Sequence, residues 1–200
     1  MSSNSKVLRI TQALLSSYNY INVTEDGFEN FLATLNRTKT PPTKAMLDGI
    51  QFEGLVNACL DGVGPPEGHE LTGCVHQVVD IIQPGAQQQV TIFKEYEVDG
   101  QVYLLHGVLD FLHKGVIYDT KFSKSYEVNK YYKSPQHPMY FELVPEANRF
   151  EYVICDGHYV YTENYWRSET PAIAYKIRSF AQWLKTVNLW SIYKDKWEAN

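Results

Sequence analysis

The spacing of apolar residues changes character midway along the chain. Up to residue 83 they recur at helical intervals, and beyond it they mostly alternate as strands do. Thr11 stands where its hydroxyl can cap a short helix over Gln12 to Tyr18. Phe28, Phe31, Leu32 and Leu35 share one face of a second helix, Gly27 to Leu35. Thr40-Pro41-Pro42 opens a third, proline being tolerated in a first turn. That helix runs through Met46, Leu47, Ile50, Leu55 and Cys59 and stops near Gly62. After the loop Asp61 to Gly68, a fourth helix spans Glu70 to Ile82 and is halted by Pro84-Gly85.

Strands then take over. Gln89 to Val98 and Gln101 to Leu112 flank Asp99-Gly100, a strong hairpin signal. Val116 to Phe122 is a short apolar strand behind the turn His113-Lys114-Gly115. A lysine- and tyrosine-rich connection leads to a helix from Pro135 to Leu143. Strands Arg149 to Cys155 and Tyr159 to Tyr165 meet at Asp156-Gly157. Thr170-Pro171 opens a long last helix carrying Ile173, Ile177, Phe180, Leu184 and Val187, with Trp183 and Trp190 on it as core or interface anchors. The order predicts one α/β (α+β) domain over residues 1–200, its strands mostly antiparallel. It divides into a helical N-terminal region (residues 1–83), a sheet and helix (residues 84–145), and closing strands and helix (residues 146–200).

Composition narrows the function classes. Two hundred residues, 44% hydrophobic and 20% charged, make a globular chain with a core of ordinary size. A net charge of −5 argues against a protein coated with nucleic acid on every face and leaves room for a local basic groove. Cys59, Cys74 and Cys155 form no CxxC pair, and three thiols cannot supply a four-cysteine iron–sulfur cluster. The six histidines show no HxxxH or HExxH spacing for zinc. No glycine loop ends in Gly-Lys-Ser/Thr, so no ATP-binding P-loop is present. The N-terminal MSSNSKVLRI lacks a long apolar core, and no later run approaches a membrane span. The expectation is a soluble protein of a reducing cytoplasm.

The stretch from Gly107 to Lys121, GVLDFLHKGVIYDTK, carries the chemistry. Residues two apart on a strand share a face, so Asp119 and Lys121 project together, and the hairpin can bring Asp110 beside them. Two carboxylates and a lysine form a hard-oxygen site for Mg²⁺ or Mn²⁺ with a cation next to it. That is the inventory for metal-assisted cleavage of a phosphodiester.

GVLD followed by Asp119-Thr120-Lys121 resembles the core of PD-(D/E)xK nucleases, specifically their RecB-like exonuclease branch. Gln136-His137-Pro138-Met139-Tyr140 is similar to the QxxxY signature of that branch, and Gly49-Ile50-Gln51-Phe52-Glu53 to its first motif. ITQALLSSY resembles the opening helix. The resemblance runs from about Ile10 to Tyr140 and implies a restriction-endonuclease-like core, a central mixed sheet flanked by helices. It implies a phage- or prophage-type exonuclease acting on DNA ends. Asp110 and Asp119 would be metal ligands, helped by Glu53 and the backbone carbonyl of Thr120. Lys121 would position the attacking water, or act on it if its own pKa were depressed. Gln136 and Tyr140 would hold the scissile strand or orient Lys121. Candidate partners are DNA, a phage single-strand annealing protein and a second copy of the chain. The branch often carries histidine where Glu53 stands, and some members hold an iron–sulfur cluster that this chain cannot.

Lys124, Lys130 and Lys133, with Tyr131 interleaved, suit phosphates and bases of a strand beside the site, or equally a solvated loop anchored by its tyrosines. Two other classes remain open: a catalytically silent nucleic-acid-binding accessory protein of the same fold, and a β-rich ligand- or partner-binding protein.

Overall fold

The computed structural model describes residues 6–199, so the first half of the N-terminal MSSNSKVLRI lies outside the described residues. The chain begins with β1 (Leu8–Thr11), α1 (Gln12–Asn19), α2 (Gly27–Leu35), α3 (Lys44–Leu60) and α4 (Thr72–Ile82). Strands β2 (Gln87–Val98), β3 (Gln101–His113) and β4 (Val116–Phe122) follow, then α5 (Gln136–Leu143), β5 (Arg149–Cys155) and β6 (Val160–Trp166). A 3₁₀ turn at Arg167–Glu169 leads to α6 (Ala174–Thr186) and α7 (Trp190–Lys196). The result is a six-stranded mixed sheet flanked by helices, as expected.

Local chemistry explains most boundaries. Thr11 caps α1 by accepting from the Leu14 N–H, and Thr43 caps α3 in the same way from Met46. That cap moves the start of α3 past Pro41 and Pro42, which precede the helix instead of opening it. Asp99-Gly100 and Lys114-Gly115 both take positive φ at both residues, the geometry of tight hairpin turns.

Two expectations are corrected. β1 was not foreseen, because four residues are too few to show a period; it forms by pairing in parallel with β3. The sheet is mostly antiparallel, as expected, with β1–β3 and β4–β5 as its parallel pairs, the latter joined around α5. The last helix is broken at Asn188, which takes φ 60, so Trp183 lies on α6 and Trp190 on α7.

Each face of the sheet has its own core. Leu105, Leu109, Ile117, Phe150 and Tyr152 pack with α1, α2, α5 and α6 on one side. Phe111, Tyr118, Val153 and Cys155 pack with Phe52 and Val56 of α3 and Val75 and Val78 of α4 on the other. No helix of the described residues is long and apolar enough to cross a membrane.

Candidate active site

The site lies where β3 changes partners. One edge of β3 pairs with β2 from Gln101 to Leu112, with a single gap at Asp110. The other edge pairs with β1 at Tyr103–His106 and with β4 only at Phe111–His113. Continuing the antiparallel register by one residue sets Asp119 across from Asp110, at the point where the ladder stops. Beyond it, the Thr120 N–H donates to Asp110 Oδ2 at 3.0 Å. A carboxylate has taken the place of a strand.

A kink in β3 accompanies this. Leu109 belongs to one core and Phe111 to the other, although residues two apart on a regular strand share a face. Opposite the kink, Gln89 of β2 takes φ 50, and the Gln89–Asp110 pair drops out of an otherwise continuous register. A non-glycine residue in the left-handed region costs of order 1–3 kcal/mol, and such strain gathers at functional sites.

Asp119 and Lys121 do project together. Asp119 is 2% exposed; its Oδ1 accepts from Gln136 Nε2, and the Lys121 ammonium lies beside its Oδ2. That Oδ2 is buried and takes no well-aligned hydrogen bond. Burial alone would lower the Lys121 pKa, but Asp119 and Asp110 outweigh it and raise it. Lys121 is therefore held as an ammonium, which suits positioning the water and speaks against the alternative in which a depressed pKa lets it act on the water. Asp110 is pushed well above the usual carboxylate range by burial, then by the charge of Asp119; Lys121 pulls it down, Glu53 adds to the push, and the Thr120 N–H opposes it.

The other expected residues divide. Glu53, on α3, is near enough to bear on Asp110, but its carboxylate accepts from Gln89 Nε2. Among the described residues no three His, Cys, Asp or Glu side chains gather closely enough to hold a metal. The donors still fit a hard cation. They are all oxygens, the buried Asp119 Oδ2 has only the Lys121 ammonium beside it, and Mg²⁺ is commonly held by one or two carboxylates with water completing its shell. Gln136 is buried and bonded to Asp119, so it orients a carboxylate, not Lys121. Tyr140 is buried too, its hydroxyl donating to the Val108 carbonyl at 2.7 Å. It ties α5 to β3 and presents no surface to a strand of DNA. Gly107 permits that close seat, since a Cβ there would lie 2.8 Å from the Tyr140 ring.

A cavity of about 370 Å³ opens beside Lys121 and Gln136, with Lys130, Tyr131 and Lys133 on one wall and Gln12, Ser16 and Asn19 of α1 on the other. Lys124 stands apart, 3.5 Å from Asp48. Tyr131 stacks on Tyr152, with ring centroids 4.5 Å apart, so it is both anchor and wall. Lys130 Nζ donates to Ser123 Oγ and the Ser125 carbonyl, which holds its charge over the loop.

Sequence reasoning missed two contributors. Glu163 of β6 is a buried hub: it accepts from the hydroxyls of Tyr126 and Tyr165 and the N–H groups of Lys130 and Tyr131. It pins the lysine-rich loop to the sheet. In sequence, Thr162-Glu163-Asn164 looks like a solvated strand edge, and only the density of tyrosines nearby hinted at partners. The α1 wall was invisible because its polar face reads as solvent-facing.

No family model matches the chain, and no curated protein matches it. A solved structure described as the crystal structure of SSO0001 is similar, with a TM-score of 0.57 and 14% identity over 92% of this chain and 79% of that one. At that identity the likeness speaks for the fold alone: a mixed sheet with helices on both faces.

Proposed function

We propose that this protein is a divalent-metal-dependent DNA nuclease, an exonuclease of the PD-(D/E)xK type acting in phage or prophage recombination or replication in a bacterial cytoplasm. One observation carries the reading: where the β3–β4 ladder stops, Asp110 and Asp119 come next in register and lie close enough for the charge of one to bear on the other, with Lys121 beside the buried Asp119 Oδ2. Like charges opposed across a strand pair are unfavourable and call for a cation.

When bound at Asp110 and Asp119, Mg²⁺ or Mn²⁺ supplies the Lewis acidity that phosphodiester hydrolysis requires. The chain's own groups do the rest. The Thr120 N–H fixes Asp110, and Gln136 fixes Asp119. Lys121 sets a permanent positive charge beside the phosphate and is placed to orient the attacking water. Lys130 and Lys133 line the approach and steer the backbone.

Digestion of end-labelled single- and double-stranded DNA with Mg²⁺ or Mn²⁺ tests the reading. Cleavage should appear with metal, stop with EDTA and fall by orders of magnitude in Asp119→Ala and Lys121→Ala. Activity untouched by either substitution sinks the assignment.

The engagement of Glu53 by Gln89 favours a second reading, a nucleic-acid-binding accessory protein that does not cut. Metal-independent DNA binding without cleavage would select it.

A further inference from the structure

A second cavity, about 560 Å³, lies across the Lys133-Ser134 segment from the groove, and both residues line both spaces. Its volume is in the ~300–1,000 Å³ range of sites that enclose small molecules. Its walls are mostly apolar and aromatic, from Tyr132, Pro138, Tyr165, Pro171 and Tyr175. Tyr132 and Tyr175 stand at its edge, 68% and 69% exposed. At its inner side the buried His137 is already stacked on Tyr165, with centroids 4.2 Å apart. Lys133 and Lys176 also line it, joined by a bond from Lys176 Nζ to the Lys133 carbonyl at 3.0 Å. Glu169 is the acidic residue of the lining. Among the described residues neither Lys133 nor Lys176 forms an ion pair.

We propose that this cavity receives an unpaired base of a single DNA strand leading to or from the active site, stacked against Tyr132 and Tyr175 while Lys133 and Lys176 hold the flanking phosphates. The inference rests on the nuclease reading and adds to it a substrate form and a path. Two exposed aromatic rings beside unpaired cations are the combination that single strands use, rings for the bases and cations for the backbone. A duplex keeps its bases stacked inside and would meet only the lysines, leaving the aromatic cavity unused. Burial also draws the Lys176 pKa down, a cost that an arriving phosphate would offset.

Fluorescence anisotropy in EDTA, with labelled oligothymidylate and a labelled duplex, tests the proposal. The variants are the double substitution Tyr132→Ala/Tyr175→Ala, and Lys176→Gln. Both tyrosines are largely exposed, so the fold should survive, which far-ultraviolet circular dichroism checks. The double variant should lose about tenfold or more in single-strand affinity, with duplex affinity unchanged. Lys176→Gln should flatten the salt dependence of single-strand binding. Unchanged single-strand affinity in the double variant, or an equal loss for duplex, overturns the proposal. Hydrolysis measured in parallel separates the two readings. Metal-dependent cleavage with unaltered single-strand binding removes the cavity's role alone. Tyrosine-dependent single-strand binding without cleavage keeps the cavity and removes the nuclease. Neither binding nor cleavage by the unsubstituted protein overturns both.

Discussion

Asp110→Asn should make the metal-free protein more stable while destroying the metal response that the proposed site implies. Asparagine keeps the shape of the side chain, and its carbonyl oxygen can still accept from the Thr120 N–H, now at 3.0 Å from Asp110 Oδ2. What disappears is a negative charge that faces Asp119 across the end of the β3–β4 ladder and is near Glu53. Like charges directly opposed on strands cost about 0.2–1 kcal/mol, and burial here argues for the upper end. A gain of about 1 kcal/mol corresponds to roughly 2–4 °C in Tm for a chain of this length. Thermal unfolding in EDTA at neutral pH, followed by circular dichroism, would show it. Added Mg²⁺ or Mn²⁺ should then raise the Tm of the unsubstituted protein by mass action and leave the variant unmoved. The sign with pH follows from the raised Asp110 pKa. A carboxyl whose folded-state pKa lies above its unfolded value of about 3.9 favours folding at low pH and loses that contribution as pH rises through the folded value. The advantage of Asp110→Asn should therefore vanish on acidification. A metal-free variant less stable than the parent at neutral pH would refute the reasoning, because attraction to Lys121 would then outweigh the repulsion.

Other perturbations probe the supports of the site. Glu163→Ala removes four hydrogen bonds to one buried carboxylate and should cost about 3 kcal/mol in urea unfolding; trypsin should then cut sooner at Lys124, Lys130 and Lys133. Gly107→Val would press a Cβ to 2.6 Å from Leu143 Cδ1, costing about 1–3 kcal/mol. By displacing α5 it should also loosen Gln136 from Asp119, so the proposed nuclease activity should fall more than the change in Tm explains. His137 is drawn down to about 4 by burial. Its unfolded value is near 6.5, so the unfolded chain binds the extra proton first and stability falls as pH drops from about 6.5 to about 4. The whole loss should be roughly 3 kcal/mol, and His137→Phe should flatten the Tm profile across that window.

Much of the molecule was readable from local pattern. The helical spacing of Phe28, Phe31, Leu32 and Leu35, the alternation in β3 and β4, and the turns at Asp99-Gly100 and Lys114-Gly115 depend on neighbours within a few residues, which a sequence displays directly. The same holds for Asp119 and Lys121: a strand period of two places them together before any tertiary contact forms. Gln136, expected from its motif, also meets the site, though through Asp119 instead of Lys121.

The rest was decided by packing at long range. β1 exists only because β3 offers it an edge, and four residues carry no period to announce that. Glu53, expected as a ligand, is near Asp110, and one of its oxygens accepts from Gln89, thirty-six residues later, a contact no local pattern announces. Asp110 depends on a kink that exchanges the two cores between Leu109 and Phe111, and Glu163 became a hub because a loop folded over it. The sequence by itself determined which chemical groups were available and which strand carried them. Only the tertiary structure decided which carboxylates come together and which partners each of them takes, because charge and hydrogen-bond balance depend on neighbours that are distant along the chain.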